Sequence, residues 1–449
     1  MTDYHVRDTI LQLLVRIEQD SGFSHLLIDQ EIKAQNISSN DQALLTEIVY
    51  GTIQRQLTLD YYLKPFIHSR KKLQLWVRML LRMSVYQMQF LDKVPDHAVI
   101  HEAVEIAKRR GHKGIVSFVN GVLRSVQRQG VPDIDAIQDA AERLAVETSH
   151  PIWLVRNWLD VYGYDLTRDM CRANLERKPL SIRVQPLKIT RDRAMDELYK
   201  LGFSTRKSNF SDQGIIVDEG NIIHTWLFQE GYVTIQDQSS MLVTEMLNAE
   251  PGLDVLDACS APGGKATHTA EKMQDDGTVA AYDLQAKKAK QVRQKAAQLD
   301  LTIINAQAGD ARKLQEQYKK ERFDRILVDA PCTGFGVIRG KPDIKYHKEE
   351  RDSERLAEIQ LAILEEVAPL LKPDGLLLYS TCTVGEKENN DVITNFLATS
   401  TNFVVDKRFF EQLPAEIRQS PGCTENGLQL FPQTFSTDGF FITRLKRKA

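Results

Sequence analysis

The sequence is poor in cysteine, with five in 449 residues. Their number is odd, their spacing is wide, and no Cys-x-x-Cys pair or His/Cys metal-ligand spacing occurs. These features argue against a disulfide framework and a zinc site, and we expect no metal. Scarce, unpaired cysteine is typical of the reducing cytoplasm, which is the compartment we expect. The five are Cys171, Cys259, Cys332, Cys382 and Cys423.

Long apolar stretches and the commonest phosphate-binding signatures are missing as well. No apolar run reaches the roughly 18 residues that a membrane span requires, so we expect no membrane partner. The first ten residues, MTDYHVRDTI, lack the basic and then apolar order of a secretory signal. The Walker sequence, GxxxxGK followed by Ser or Thr, is absent, so the glycine-rich turn described below is not a P-loop.

The composition is that of a globular protein, with 42% hydrophobic and 27% charged residues. The length predicts two or three domains. The net charge of −3 hides a basic stretch, because residues 62–130 contain thirteen Lys or Arg and four acids. A charged stretch is usually a solvated face, and two tight clusters here suit a phosphate-binding surface equally well. The clusters are Arg70, Lys71 and Lys72, and Lys108, Arg109 and Arg110.

The hydrophobic pattern changes twice along the chain. Residues 1–145 carry apolar stripes at helical spacing, with prolines only between them, and predict an all-α bundle. Residues 146–235 mix helical and strand patterns, which indicates linker helices and a small α+β domain of the split βαβ kind. Residues 236–449 alternate short apolar strands with helices, which predicts a doubly wound α/β domain.

Three acidic residues follow successive predicted strands of the α/β domain. A glycine-rich turn, DACSAPGGK at 257–265, follows the first strand and opens a helix, so its backbone can approach a ligand closely. Asp257 begins this turn, Asp283 ends the second strand, and Asp310 follows the third. A single aspartate there is often only a helix cap, but three at one sheet edge favour a nucleoside cofactor.

Two further motifs, Asp329-Ala330-Pro331-Cys332 and Thr381-Cys382-Thr383, also follow apolar strands. The carboxyl ends of strands are where ligands gather in open α/β sheets, so two thiols and a carboxylate there suggest covalent chemistry on an electrophilic carbon. Free cysteine is also among the most buried residue types, and simple packing remains the alternative.

Together, DACSAPGGKATH, DAPCTGFGVIRGKPDIKY, YSTCTVGEKEN and the terminal DGFF resemble the S-adenosylmethionine-dependent RNA cytosine-5 methyltransferases of the Sun/Fmu group. The segment VPDHAVIHEAVEIAKRRGHKGIVSFVNGVLR resembles the NusB-like RNA-binding domain. The resemblance spans nearly the whole chain. It implies a Rossmann-like, seven-stranded sheet with an antiparallel last strand, S-adenosylmethionine as cofactor, and 16S ribosomal RNA as partner of a monomeric enzyme.

The resemblance also assigns roles. Cys382 is the nucleophile that attacks C6 of the cytosine, and Cys332 assists release of the product. Asp329 contacts the base and lies beside the cofactor, while Lys265 contacts the base or Asp329. Asp283 holds the ribose and Asp310 the adenine side. The methionine end of the cofactor is held by Cys259, Ser260, Ala261, Pro262, Gly263, Gly264 and Lys265.

Arg339 and Lys341 are further candidates for contact with the RNA backbone. Two positions depart from the family pattern: Ser260 stands where Ala is usual, and Gln185 where Asn is usual. Two alternatives stay open. The same chemistry could act on transfer RNA or another rRNA cytosine, or the chain could be a non-catalytic RNA-binding assembly factor, although such a factor needs neither thiol nor Asp329.

Overall fold

The computed structural model describes residues 6–20, 27–28, 30–32, 37–67 and 73–448. By internal packing the chain forms two units. One comprises residues 1–176 with 338–348, and the other comprises residues 177–337 with 349–449.

The described part of the first unit is helical, as the apolar stripes predict. Buried Ile10, Leu14 and Ile17 on the first helix share a core with Leu45 and Ile48 on the next described one. Residues 27–28 and 30–32 are also helical. The helices are α1 (Val6–Asp20), α2 (Ser39–Gln54), α3 (Gln56–Leu63), α4 (Leu75–Phe90), α5 (Asp96–Arg110), α6 (Lys113–Gln129), α7 (Ala140–Thr148), α8 (Ile152–Tyr162) and α9 (Tyr164–Ala173), with 3₁₀ turns at Lys64–Phe66, Ile134–Ala136 and Pro342–Tyr346.

The segment 338–348 belongs to this helical unit although it lies between two strands of the α/β sheet in sequence. The buried Lys345 ammonium donates a hydrogen bond to the Gln54 carbonyl at 2.9 Å. The hydroxyl of Tyr346 lies 3.2 Å from the same carbonyl and 3.1 Å from that of Ser149. The sequence pattern did not predict this placement.

The second unit begins with a small α+β domain of ferredoxin-like topology. Its antiparallel sheet has the order β2-β3-β1-β4, with a helix connecting β1 to β2. This is the predicted split βαβ arrangement. Its elements are β1 (Leu180–Val184), α10 (Arg191–Lys200), β2 (Thr205–Lys207), β3 (Gly214–Val217), α11 (Trp226–Gln229) and β4 (Val233–Ile235), with a 3₁₀ turn at Ile222–His224.

The α/β domain contains a large mixed sheet with the order β11-β12-β13-β9-β8-β5-β6-β7, and β10 pairs with β13. β5 to β9 are parallel and β13 is antiparallel, as expected. The strands are β5 (Asp254–Asp257), β6 (Thr278–Asp283), β7 (Ile304–Ala308), β8 (Phe323–Asp329), β9 (Leu371–Thr381), β10 (Phe403–Val405), β11 (Cys423–Thr424), β12 (Gly427–Leu430) and β13 (Phe440–Arg447).

The sheet therefore holds the seven expected strands and two short additional ones, β10 and β11. Its helices are α12 (Gln238–Leu247), α13 (Gly264–Lys272), α14 (Ala286–Gln298), α15 (Glu350–Val367), α16 (Asn390–Thr399), α17 (Arg408–Gln412), α18 (Ala415–Arg418) and α19 (Pro432–Phe435), with 3₁₀ turns at Ala311–Glu316, Phe335–Val337, Ala368–Leu370 and Glu386–Glu388.

Both faces of this sheet are covered by apolar residues. Alternate residues of a strand join different cores: Ile326 and Val328 belong to one cluster, and Leu327 to another. This alternation explains why the parallel strands read as continuous apolar runs, since both faces are buried. The carboxyl ends of β5, β6, β7, β8 and β9 are left to carry polar side chains.

Candidate active site

The two motif cysteines come together at the carboxyl ends of β8 and β9. Their sulfur atoms lie 3.3 Å apart, although the residues are 50 positions apart in sequence. The hydrogen bond with Cys382, together with burial, raises the pKa of Cys332 well above that of an ordinary thiol. Cys332 therefore keeps its proton at neutral pH, and either sulfur can be the donor in the hydrogen bond between them.

Asp329, the last residue of β8, lies at the same edge and is held by two donors. Lys265 Nζ lies 2.7 Å from its Oδ2, and the Ser380 hydroxyl donates to its Oδ1 at 2.8 Å. Lys265 also lies 4.8 Å from the centre of the Phe440 ring, in the DGFF motif. The ion pair fixes the position of the Asp329 carboxyl group, and of the two contacts expected for Lys265 the structure contains the one to Asp329.

The glycine-rich turn connects β5 to α13. Gly263 has φ = +101°, and a Cβ built there would lie 3.2 Å from Val292 Cα on α14. Ser260 donates to the Tyr282 carbonyl twice, through its N–H at 2.7 Å and its hydroxyl at 3.0 Å. The second bond explains how Ser is accommodated where Ala is usual. The turn is thereby fixed against the end of β6, and α13 begins at Gly264 with its N-terminal N–H groups toward this edge.

Asp283 and Asp310 both have local partners. Asp283 accepts a hydrogen bond from the N–H of Gln285 at 3.0 Å. Asp310 accepts one from the N–H of Arg312 and pairs with the guanidinium of the same residue, which holds the pKa of Asp310 below its usual value. Asp310 thus caps the 3₁₀ turn that follows it and Asp283 accepts within a local turn, and their contacts with adenine and ribose remain predictions.

Sequence reasoning counted Asp257, the last residue of β5, among the three acids that follow strands but gave it no separate role. Its carboxyl group is buried, and neither oxygen has a hydrogen-bond partner in the described structure. Burial, and then the charge of Asp329, raises the pKa of Asp257 to about 7. Its position directly before the turn is the sequence signal that could have assigned it a role.

These residues fit S-adenosylmethionine. The amino-acid moiety carries an ammonium group that suits the unpaired Asp257 carboxyl, and the glycine turn offers N–H groups to a carboxylate. Asp283 ends the next strand. Leu284 directly after it is 67% exposed, and its apolar side chain suits packing against the adenine ring of the cofactor.

The small α+β domain supplies a group that sequence reasoning missed. Arg183 on β1 is fully buried and forms an ion pair with Glu271 of α13 at 2.7 Å. It also donates to the Gly264 carbonyl at 2.7 Å and to Thr267 Oγ1 at 3.0 Å. Nearby Gln185 is also buried and donates to the Leu299 carbonyl at 2.9 Å, so its side chain is not on a surface that RNA could reach.

The basic candidates for RNA contact lie in the helical unit, and Arg70, Lys71 and Lys72 fall outside the described residues. Lys108 pairs with Glu105 at 2.7 Å, and Arg110 makes a two-point ion pair with Asp8 at 2.8 and 2.9 Å. Arg109 is exposed and forms no ion pair with another described residue. Arg339 donates to the Glu176 carbonyl at 3.3 Å, and Lys341 is half-buried.

Within the ranges that the structure covers, no group of three or more His, Cys, Asp or Glu residues is arranged to hold a metal ion. No helix among those ranges has the length and apolar character needed to cross a membrane.

Comparison with known proteins matches three regions of the chain to three family models. Residues 244–446 match the family model described as 16S rRNA methyltransferase RsmB/F, residues 5–128 match the NusB family, and residues 150–224 match the ferredoxin-like domain of RsmF/B-like methyltransferases. The probable ribosomal RNA small subunit methyltransferase B of Bacillus subtilis is 49% identical over 99% of both chains.

Two solved structures share the fold. The crystal structure of PH0851 is 26% identical, covers 99% of both chains and superimposes with a TM-score of 0.84. A methyltransferase homolog protein from Pyrococcus horikoshii is 25% identical, covers 70% of this chain and all of its own, and gives a TM-score of 0.59. The predictions of fold and of S-adenosylmethionine as cofactor are confirmed by these matches. From its sequence, its fold and its relatives, the chain belongs to the RsmB/F family of S-adenosylmethionine-dependent 16S rRNA methyltransferases.

Proposed function

We propose that this enzyme methylates C5 of a cytosine in 16S rRNA through a covalent bond between Cys382 and C6 of the base. The observation that carries the proposal is the pair of thiols 3.3 Å apart at the edge of the sheet that also holds the Lys265–Asp329 ion pair. A binding protein would need none of these groups in this arrangement.

The chemistry requires a nucleophile because C5 of cytosine does not attack a methyl donor unaided. The Cys382 thiolate forms a bond to C6, and the electron pair displaced from the C5–C6 double bond makes C5 nucleophilic. S-adenosylmethionine supplies the electrophilic methyl group that C5 takes up. Loss of the C5 proton then re-forms the double bond as the bond between Cys382 and C6 breaks.

The neighbouring groups support each part of this sequence. An ordinary cysteine has a pKa of about 8.5, so forming its thiolate at pH 7 costs about 2 kcal/mol. A hydrogen bond donated by the Cys332 thiol to Cys382 reduces this cost, because it favours the charged form of its acceptor. Cys332 is also the nearest thiol once Cys382 is bonded to C6. If it passes its own proton to the departing Cys382 sulfur as its thiolate takes up the C5 proton, the protons balance and the product is released.

Asp329 is fixed at the same edge by Lys265 and Ser380, so little reorganisation is needed when it meets the base. A base must leave its stack to enter such a site, which costs a few kcal/mol and least in a loop or single strand. The exposed basic residues of the helical unit are the groups we expect to offset that cost through phosphate contacts.

Replacing each cysteine in turn tests this mechanism. Cys382→Ala should abolish both methylation and any covalent complex, because no bond to C6 can form. Cys332→Ala should accumulate a protein–RNA complex that survives denaturing electrophoresis, because release is impaired. Cys423→Ala is the matched control, since Cys423 lies on β11 outside the site. Full activity of Cys382→Ala would contradict the mechanism.

Bisulfite sequencing of ribosomal and transfer RNA from a strain lacking the gene tests the substrate. We expect one 5-methylcytosine to disappear from 16S rRNA and the transfer RNA pattern to stay the same. An unchanged 16S pattern would exclude the proposed substrate, and a loss confined to transfer RNA would favour that substrate instead.

A further inference from the structure

Behind the two thiols lies a buried chain of hydrogen bonds that the roles proposed above do not use. Thr333 directly follows Cys332, Thr383 directly follows Cys382, and their hydroxyl oxygens lie 2.8 Å apart. Glu388 lies next to them and accepts a hydrogen bond from the Thr333 hydroxyl. Thr333, Thr383 and Glu388 are all at most 2% exposed.

The direction of these hydrogen bonds follows from counting protons. A hydroxyl has one proton to donate, and Thr333 gives its proton to the Glu388 carboxylate. Thr383 must therefore donate to Thr333. The N–H of Thr333 donates to the other carboxylate oxygen of Glu388 at 2.9 Å, so Glu388 holds Thr333 by both its backbone and its side chain.

The residue before Cys332 is held from the same side. Gln360 Nε2 donates to the Pro331 carbonyl at 2.9 Å and to Glu388 Oε2 at 3.1 Å. The backbone is thus fixed on both sides of Cys332, through Pro331 and through Thr333.

Asn389 holds the backbone around Cys382 in the same manner. The Thr381 hydroxyl donates to Asn389 Oδ1 at 2.6 Å, and Asn389 Nδ2 donates to the Thr383 carbonyl at 3.2 Å. Thr381 and Thr383 are the residues on either side of Cys382. Asn389 is 1% exposed, so water does not compete for these bonds.

We propose that Glu388 and Asn389 are positioning residues that set the distance between the sulfur atoms of Cys332 and Cys382. Each holds the backbone beside one cysteine, and the Thr383–Thr333 bond joins the two halves. The inference rests on the proposed function, in which the thiols act on the same base. A displacement of about 1 Å in a reacting group can lower a rate by up to about 100-fold, so this spacing has a direct effect on kcat.

Thr333→Val tests the proposal because valine has nearly the shape of threonine but no hydroxyl. We expect kcat to fall by roughly 10- to 100-fold while the Kd of S-adenosylmethionine stays within about threefold. Thr443→Val is the matched control: Thr443 is fully buried in β13 of the same sheet, and its hydroxyl has no hydrogen-bond partner among the described residues. If Thr333→Val does not fold, Thr383→Val removes the other half of the same bond and should have the same effect.

Variants of Glu388 separate hydrogen bonding from the bulk of the side chain. In Glu388→Gln the amide oxygen can still accept from the Thr333 N–H. The amide nitrogen can donate to the Thr333 hydroxyl, and that hydroxyl then donates its own proton to Thr383. We expect this variant to keep kcat within about fivefold of the wild type and Glu388→Ala to lose roughly 10- to 100-fold. A Glu388→Gln variant as impaired as Glu388→Ala would overturn the proposal.

A measurement independent of activity probes the spacing itself. Phenylarsine oxide bridges two thiols that lie close together, so it should bind the wild type and Thr443→Val tightly and Cys332→Ala weakly. Thr333→Val should bind it at least about tenfold more weakly than the wild type. Either unchanged phenylarsine oxide binding or an unchanged kcat in Thr333→Val overturns the inference.

The cysteine variants distinguish failure of this positioning role from failure of the proposed methylation mechanism. Retained activity in Cys382→Ala would remove the proposed function. An inactive Cys382→Ala combined with a fully active Thr333→Val would remove only the positioning role.

Discussion

Asp257 shows at the scale of one residue how a binding site can reduce the stability of the ligand-free protein. Its carboxyl group is buried at the end of β5 without a hydrogen-bond partner in the described structure. A buried acid without a partner favours its neutral form, which is why the pKa of Asp257 rises to about 7. A bound cation would remove that penalty, so we expect cofactor binding to be linked to the protonation of Asp257.

The pH dependence of stability tests this interpretation. Between about pH 4 and 7 the unfolded chain loses the Asp257 proton while the folded protein keeps it, so the folded state loses stability as pH rises through this window. Asp257→Asn removes the titrating group. We expect the thermal midpoint of the wild type, without cofactor, to fall more between pH 5 and 8 than that of Asp257→Asn, by an amount corresponding to roughly 1–4 kcal/mol.

Asp254→Asn, at the other end of β5, is the control. The hydrogen bond from Arg322 lowers the pKa of Asp254, so its contribution has the opposite sign and is already complete near pH 4. Parallel pH curves for the wild type and Asp257→Asn would contradict the interpretation. Asp257→Asn should also bind S-adenosylmethionine at least about tenfold more weakly, because an amide does not attract an ammonium group.

Residue types in the sequence located the proposed reactive groups, and the resemblance anticipated the contact of Lys265 with Asp329, but the other partners were not foreseen. The two cysteines and Asp329 follow apolar runs, and strand ends collect at one edge of a parallel sheet, so their meeting could be foreseen. Asp257 could not be recognised as unpaired, because that depends on what packs around it. Glu388 and Asn389 lay in a quoted motif, yet only the fold shows that they hold the residues beside the thiols.

At the scale of elements, the junction of β5 and α13 depends on one backbone conformation. Gly263 has a positive φ and faces α14 so closely that any side chain would contact Val292. Gly264 next to it has an ordinary φ, and a Cβ there would approach only Gln236, at 3.8 Å. The two glycines therefore have different physical requirements although the sequence presents them as a pair.

Alanine substitutions should separate the two glycines. Gly263→Ala forces an alanine into the left-handed region and against Val292, so we expect a loss of about 1–3 kcal/mol in stability. Gly264→Ala should change stability by less than about 1 kcal/mol. Equal losses of thermal midpoint in the two variants, measured without cofactor, would contradict this assignment.

Most elements of the α/β domain could be predicted, because strands and helices alternate and the strands are apolar throughout. β10 and β11 could not, since strands of three and two residues leave no periodic pattern. The contact from Arg183 to α13 was also beyond prediction, because charged residues in a strand are ordinarily placed at the surface. Its burial is explained by Glu271 and the Gly264 carbonyl, which satisfy the guanidinium.

At the scale of the whole molecule, charge is unevenly distributed along the chain. The ion pairs of the helical unit indicate which of its basic side chains are available for contact with RNA phosphates. Arg110 is held by Asp8 in a two-point pair, while neighbouring Arg109 is exposed and forms no ion pair within the described ranges. Both stand in the last turn of α5, where the helix dipole also favours positive charge.

RNA-binding measurements on these neighbours test the proposed phosphate contacts. Arg109→Ala should weaken binding of a 16S rRNA fragment and reduce the slope of log Kd against log salt by about one, because one phosphate contact is lost. Arg110→Ala should affect binding less and stability by no more than about 1 kcal/mol, because it removes a half-exposed ion pair. A larger binding effect for Arg110→Ala would reverse this assignment of roles.

The segment 338–348 limits how this enzyme can be divided. It begins six residues after Cys332, yet Lys345 and Tyr346 are bound by carbonyls of the helical unit. A fragment starting at residue 177 would keep this segment but lose Gln54 and Ser149, leaving the side chains of Lys345 and Tyr346 without these carbonyl partners. We therefore expect an exchange of the N-terminal helices to be tolerated only if the loop between β8 and α15 changes with them.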